Sequence, residues 1–400
     1  MLTSILRTPA PCSAPRLLVA MSVLLLGACS GGGDSSAPPP LTGWAAIRAA
    51  AAPAVALPAE FETPSPQPLA VDGWEDGIFI SRDGLHLFAV YAPADLLSFS
   101  LAGADQHQAA SYFRGPTFGM DMTTNPAGTT NWIHGNILHA SRASTAAPFT
   151  SWHLAPMARA TWSEGAPMAE GPSGGTWDLF VHVTNEHAPD YKAHIALAHG
   201  AALDPTAVGT LLPAPVTTDH TEDNPHIERL DATHLVLFFD SDDRPGASGQ
   251  HDMWWTTSAD DGVSWATPTP VTSLNTALEE EQPHLYRDSA GAWWLYFTAT
   301  NPADSKLGIF RSPQTTVGDW NAWGAQTLVL GAGNTVGVGE PSLTSNGDLS
   351  FVVITEDTVH GTPTNRFDGD PWFMPRRPSS VAGNPKPISQ RLAVAGQIRR

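Results

Sequence analysis

Five strongly apolar runs punctuate the chain: LHLFAVY (85–91), WDLFVHV (177–183), HLVLFF (234–239), WWLYF (293–297) and LSFVVI (349–354). Their aromatic and β-branched content, and the turn residues around them, predict strands. A third element follows each run: NILHASR (136–142), HIALAH (194–199), MWWTTS (253–258), LGIFRS (307–312) and PWFMPR (371–376). A weaker fourth follows in places, as at TPTPVTS (267–273), with a likeness at PKPISQ (385–390). No segment sustains an apolar period of 3.6, so no substantial helix is expected.

A short start precedes each apolar run, and the starts repeat. Pro167, Pro225, Pro283 and Pro341 are each 58 residues apart, in the contexts Gly165-Ala166-Pro167, Asp223-Asn224-Pro225, Glu281-Gln282-Pro283 and Gly339-Glu340-Pro341. A fifth start lies at Trp74-Glu75-Asp76-Gly77-Ile78, with Gly77 aligned on the prolines. Four short strands per unit, repeated radially, predict an all-β fold, a five-bladed β-propeller with a repeat of about 58 residues. The first unit carries extra residues, a long loop over roughly 92–130 with Arg114 and Asp121, and Trp132 just beyond it. Proline suits the first residue of an innermost strand, where a missing N–H is harmless. The acids just before these prolines then crowd around one mouth of the central channel.

The ends alter the picture. Arg7 and Arg16 precede an apolar run from Leu17 to Ala28, which is too short to span a bilayer and reads as a secretory signal over 1–28. Leu26-Gly27-Ala28-Cys29 resembles a bacterial lipobox, which implies lipidation of Cys29 and anchoring by acyl chains alone. Ser30 then implies the outer membrane, on its periplasmic or surface face. Residues 29–72 read as lipidated Cys and Ala/Pro/Gly/Ser-rich tether, and 73–400 as the propeller. Cys12 leaves with the signal, so no intrachain disulfide is possible. Without Arg7 and Arg16 the formal charge moves from −19 to −21, which argues against nucleic acid as a partner. A monomer is expected.

Carboxylates beside one another around a channel repel, which raises at least one pKa, and glycosidic cleavage needs a proton-holding acid beside an ionised partner. The competing reading is that acids before a strand accept turn N–H groups and face water. EQPHLYRDSAGAWWLYFTA, from Glu281 onward, resembles the general-acid segment of the five-bladed arabinanase and β-xylosidase group, glycoside hydrolase family 43. The resemblance implies Glu281 as acid, Asp76 as base and Asp223 as the carboxylate that tunes the acid. It reads Asp76-Gly77 where the family has Asp-Pro, places Asp223 one position out of register, and has Gln282 where the family has Gly. Trp74, Arg114, Trp132, His226, His284 and Glu340 are the expected substrate contacts.

Ser258-Ala259-Asp260-Asp261-Gly262-Val263-Ser264-Trp265 resembles the sialidase Asp box, a structural turn. Ile78-Phe79-Ile80-Ser81-Arg82-Asp83-Gly84 resembles the repeat of TolB-like periplasmic propellers, which bind partners without catalysis. The Trp pairs 254–255 and 293–294 are expected to pack between blades. No His pair has structural-zinc spacing, and no cofactor is expected beyond a structural Ca²⁺ near the channel. Asp240-Ser241-Asp242-Asp243 partly echoes a calcium loop, but Arg244 stands at a ligand position, so a solvated loop is expected. The leading reading is an envelope lipoprotein that is an inverting hydrolase of arabinose- or xylose-type glycans. A non-catalytic propeller binding a glycan or envelope protein is the alternative, and a sialidase-like hydrolase the third.

Overall fold

The computed structural model describes residues 43–97, 115–120, 134–155, 162–173, 176–185, 192–201, 210–358 and 366–378. A short helix α1 (Trp44–Ala50) and two short strands, β1 (Ala54–Val55) and β2 (Ser65–Pro66), come first. The first sheet is β3 (Trp74–Ile80), β4 (His86–Ala92), β5 (Asn136–Ser141) and β6 (His153–Leu154), in that order. The second is β7 (Trp162–Ser173), β8 (Thr176–Asn185), β9 (Ala193–Ala201) and β10 (Thr210–Leu211). The third is β11 (Asp223–Arg229), β12 (Leu235–Ser241), β13 (Asp252–Ser258) and β14 (Thr269–Pro270). The fourth is β15 (Glu280–Arg287), β16 (Trp293–Asn301), β17 (Lys306–Pro313) and β18 (Thr327–Gly331), with β1 added outside β18. The fifth is β19 (Gly337–Leu343), β20 (Leu349–Asp357) and β21 (Arg366–Met374), with β2 as its outer strand.

All pairs are antiparallel within these sheets. The first strands β3, β7, β11, β15 and β19 touch in that order, and β19 touches β3, so the ring closes. This is an all-β propeller. Its core lies between sheets rather than in one centre, which explains why the second strands read as continuous apolar runs: both faces are covered. On β12, for example, Phe239 joins a cluster with Trp254 and Trp265, while its neighbour Phe238 joins one with Leu295, Trp320 and Trp323. Each such fully buried side chain contributes about 1.5–3 kcal/mol.

The repeat has a specific physical origin. Every first strand carries one extra residue against its second strand, at Asp76/Phe79, Gly165/Met168, Asp223/His226, Glu281/His284 and Gly339/Ser342. Within each bulge one residue is left-handed: Gly77 (φ 56°), Ala166 (41°), Asn224 (47°), Gln282 (57°) and Glu340 (60°). In the fourth and fifth sheets that conformation aims the N–H at the preceding sheet. Gln282 donates to Asp240 Oδ2 on β12 at 2.7 Å, and Glu340 to Thr298 Oγ1 on β16 at 3.0 Å. Pro167, Pro225, Pro283 and Pro341 come next. They stand inside the bulges, where no ladder bond is lost, and not at the first residue of the strand as expected.

This register corrects the first start. Gly77 aligns with Gln282 and Ile78 with Pro283, so Asp76, Asp223 and Glu281 occupy one equivalent position in three sheets. Within this chain Asp223 shows no offset from Asp76 and Glu281.

Residues 43–72, expected as tether, belong to the fold. Arg48 of α1 bonds Asp370 Oδ1 at 2.8 Å, Asp72 Oδ1 at 2.7 Å and the Val71 carbonyl at 3.1 Å, and lies 3.6 Å from Asp368 Oδ2. Glu60 accepts two bonds from Arg311, at 2.6 and 2.8 Å, and Phe61 is 1% exposed. β2 fills the outer position of the fifth sheet that PKPISQ was expected to fill; 385–390 lie outside the described residues.

Candidate functional site

In the first, third and fourth sheets the acids at the strand start come in doublets, and the two members do different things. Glu75 accepts the Val71 N–H at 2.9 Å and the Trp152 indole N–H at 3.2 Å. Glu222 accepts the Thr218 hydroxyl at 2.6 Å, and Glu280 accepts the hydroxyl and the N–H of Thr276, both at 2.6 Å. In each case the donor lies four residues earlier, so the first acid ties down the incoming loop. The second acid, Asp76, Asp223 or Glu281, alternates to the other side of the strand. All three are buried, at 1%, 1% and 0% exposure.

These second acids are electrostatically linked. Burial raises the Glu281 carboxyl above the usual range, and the charges of Glu279 and Asp76 push it further up, opposed by His251. Glu340 is held well above that range by burial and by the charge and carboxyl of Asp76 beside it. Trp74 donates its indole N–H to Asp76 Oδ2 at 2.9 Å. Asp240, the cross-strand partner of Asp223, is pushed up to about 7 by burial, Asp223 and Glu281. It accepts Asn224 Nδ2 at 2.8 Å as well as the Gln282 N–H. Gln282 and Glu340 lace the fourth and fifth sheets together, with Gln282 Nε2 donating to Glu340 Oε1 at 2.8 Å and the Glu340 N–H to Gln282 Oε1 at 3.0 Å.

Of the expected contacts, the structure brings Glu340 to this cluster. Trp74 is 0% exposed and serves as a packed donor to Asp76, not as an open sugar platform. His226 and His284 lie inside the channel with ring centroids 4.1 Å apart. Burial pushes both imidazoles well below their ordinary value. His284 Nε2 accepts the Leu343 N–H at 3.1 Å, which makes it a packing group. The channel holds about 40 Å³, room for water but not for a sugar ring. Arg114, Trp132 and Cys29 lie outside the described residues.

Two other motifs resolve as structure. The Asp-box segment forms a turn between β13 and β14: Gly262 N–H bonds Ser258 Oγ at 2.9 Å, Asp260 accepts the Ser264 N–H at 2.8 Å, and the Trp265 indole N–H caps Gly262 at 3.1 Å. The supposed solvated loop at 240–243 is corrected at its start, because Asp240 and Ser241 end β12 fully buried. Arg244 is buried too, over the rings of Phe239 and Trp254.

Sequence reasoning places Asp240 in a calcium-like loop and Glu279 only beside Glu281 among the strand-start acids, and it misses His251. His251 Nδ1 lies 2.9 Å from Glu279 Oε2, and single ligand atoms of His251, Glu279 and Glu281 lie within 4.8 Å of one another. The sequence signal was available in Glu279-Glu280-Glu281, one acid longer than the doublets of the first and third sheets.

Fold and site together define a propeller with a buried, electrostatically linked carboxylate cluster where three first strands begin. No family model and no curated protein matches the chain. Solved structures do resemble it. The catalytic domain of the Coprinopsis cinerea GH62 α-L-arabinofuranosidase is 12% identical with a TM-score of 0.46, over 78% of this chain and 91% of that one. A thermostable family-43 glycoside hydrolase is 11% identical with a TM-score of 0.45, over 76% and 92%. The endo-arabinase from Bacteroides thetaiotaomicron VPI-5482 is 12% identical with a TM-score of 0.42, over 76% and 94%.

Proposed function

We propose that the protein is a five-bladed propeller whose carboxylate cluster hydrolyses a glycosidic bond with inversion, on an arabinose- or xylose-type glycan. The observation that carries this reading is the equivalence of Asp76, Asp223 and Glu281, three acids at one register position held beside left-handed backbone. Strained backbone of this kind clusters at functional sites. In this reading Glu281, its proton affinity raised by burial, gives a proton to the leaving oxygen. Asp76 takes a proton from the water that attacks the anomeric carbon from the opposite side. Asp223 acts on Glu281 through Asp240. The leader and Cys29 would hold the enzyme at the outer membrane by acyl chains; among the described residues no helix is long and apolar enough to cross a membrane.

The test is release of reducing ends from arabinan, arabinoxylan and xylan. Glu281→Gln is expected to lower the rate at least about 10³-fold with an unchanged unfolding midpoint, as loss of an essential acid does. Normal turnover by that variant would remove Glu281 from the chemistry.

A second reading has its own observation. The near-zero exposure of all three acids favours a non-catalytic propeller that binds a glycan or envelope protein at the same mouth. No turnover of any glycan by the wild-type chain, with glycan retained on an affinity gel, would select it.

A further inference from the structure

The second and third sheets supply an internal control for the third and fourth. In both junctions the N–H of the first acid bonds a carbonyl of the preceding sheet: Glu222 to Ala193 at 2.9 Å, and Glu280 to His251 at 3.0 Å. Ala193 and His251 are therefore equivalent, as are Thr221 and Glu279, each one residue before that acid. The fold is satisfied by Ala and Thr at these places. Beside Glu281 it carries His and Glu instead, joined at 2.9 Å and by a backbone bridge between His251 and Glu279.

We infer that His251, clamped by Glu279, is a positioning residue: a buried imidazolium that orients Glu281 and sets how readily it releases its proton. The inference rests on the hydrolase reading above for its catalytic meaning, though not for its electrostatics. His251 is 2% exposed, and its Nε2 has no hydrogen-bond partner. The groups facing it are Glu279 and Glu281 from the fourth sheet and Asp240 from β12; Asp223 and Asp76 act on that cluster in turn. Burial alone would neutralise the ring, but the Glu279 bond and the charges of Glu281 and Asp240 outweigh it and lift His251 to about 9. Its positive charge acts in the opposite direction on Glu281 and Asp240, lowering both. Without it, Glu281 would bind its proton too tightly to give it up to a leaving group.

The experiment uses the full chain with ¹³C-labelled histidine rings and glutamate carboxyls, comparing wild type, His251→Asn and Glu279→Gln by NMR titration. Asn keeps an amide donor for Glu279 and removes the charge. The expected result is a wild-type His251 ring protonated through neutral pH, titrating lower in Glu279→Gln. The Glu281 carboxyl, identified by its loss in Glu281→Gln, should titrate about one unit higher in His251→Asn. The alkaline limb of the kcat/KM profile should move the same way by the same amount. A neutral ring at pH 7, or a Glu281 signal unmoved in both variants, overturns the inference. So does stoichiometric Zn²⁺ binding that is lost in His251→Asn, which would make the three residues metal ligands. If wild type hydrolyses no glycan while both titrations behave as stated, the hydrolase reading fails and the imidazolium stands. If His251→Asn does not fold, Glu279→Gln carries the test alone.

Discussion

Glu75 and Asp76 are neighbours on β3, yet they serve two clusters of buried carboxylates built in different ways. On one side, Asp368 and Asp370 of β21 are both fully buried and are met by the guanidinium of Arg48, which also reaches Asp72. On the other, Asp76, Asp223, Asp240, Glu281 and Glu340 form one electrostatically linked buried cluster with His251 beside it. An arginine stays charged at every accessible pH and fits carboxylates with a rigid fork. A carboxylate cluster met by arginine is fixed. One whose carboxyls have raised proton affinities and lie beside an imidazole can change its proton count, which a lock does not need and an acid–base site does. Glu75 shows the border between them: burial first, then the charges of Asp370 and Asp368, hold it well above the usual carboxylate range.

The comparison breaks most easily at the lock. Arg48→Met leaves buried acids uncompensated, and urea unfolding should show a loss of about 3–5 kcal/mol. A loss below about 1 kcal/mol would mean that solvent already screens the cluster. At the mouth, Asp240→Thr copies the equivalent Thr298, retaining an acceptor for the Gln282 N–H while removing a charge. The sign follows from the raised value. Asp240 contributes stability that is complete below its ordinary value of about 4 and is lost as pH rises through about 7. His251 adds a contribution complete below about 6.5 and lost as pH rises through about 9. The wild-type melting temperature should therefore fall from pH 5 to pH 9, and Asp240→Thr should fall less between pH 5 and 7. Equal slopes would show that Asp240 keeps an ordinary proton affinity. The smallest effect is expected from Thr298→Val, which removes one neutral acceptor for the Glu340 N–H and should cost about 1 kcal/mol by the same urea measurement, with no change in slope against pH.

Much of this architecture was legible in the chain because the bulge repeats. A left-handed residue followed by proline is a strong local mark, and it recurs at Ala166-Pro167, Asn224-Pro225, Gln282-Pro283 and Glu340-Pro341. The first copy misled because Gly77 was aligned on a proline, when its glycine serves the positive φ instead. A Cβ at Gly77 would also lie 2.9 Å from the Ala166 nitrogen. β1 and β2 could not be read at all: two-residue strands carry no periodicity, and their pairing with β18 and β21 is purely tertiary. The site was half legible. Asp76, Asp223 and Glu281 stand beside a visible mark, whereas Asp240 and His251 come from a second strand and the start of a third. Only the closing of sheet on sheet brings them to Glu281.

The pairing of Ser65 with Phe373 and of Pro66 with Trp372 fixes when the molecule can be finished. The loop it closes spans nearly the whole ring, and because closure entropy grows only with the logarithm of length, the thermodynamic penalty is modest. The kinetic penalty is not. A chain emerging from its N-terminus carries β2 unpaired, its partner strand not yet made, while four sheets form beside it, and contacts so distant in sequence slow the final step. Synthesis order and completion order are thus reversed for β2: among the first strands to appear, it is among the last to find its place.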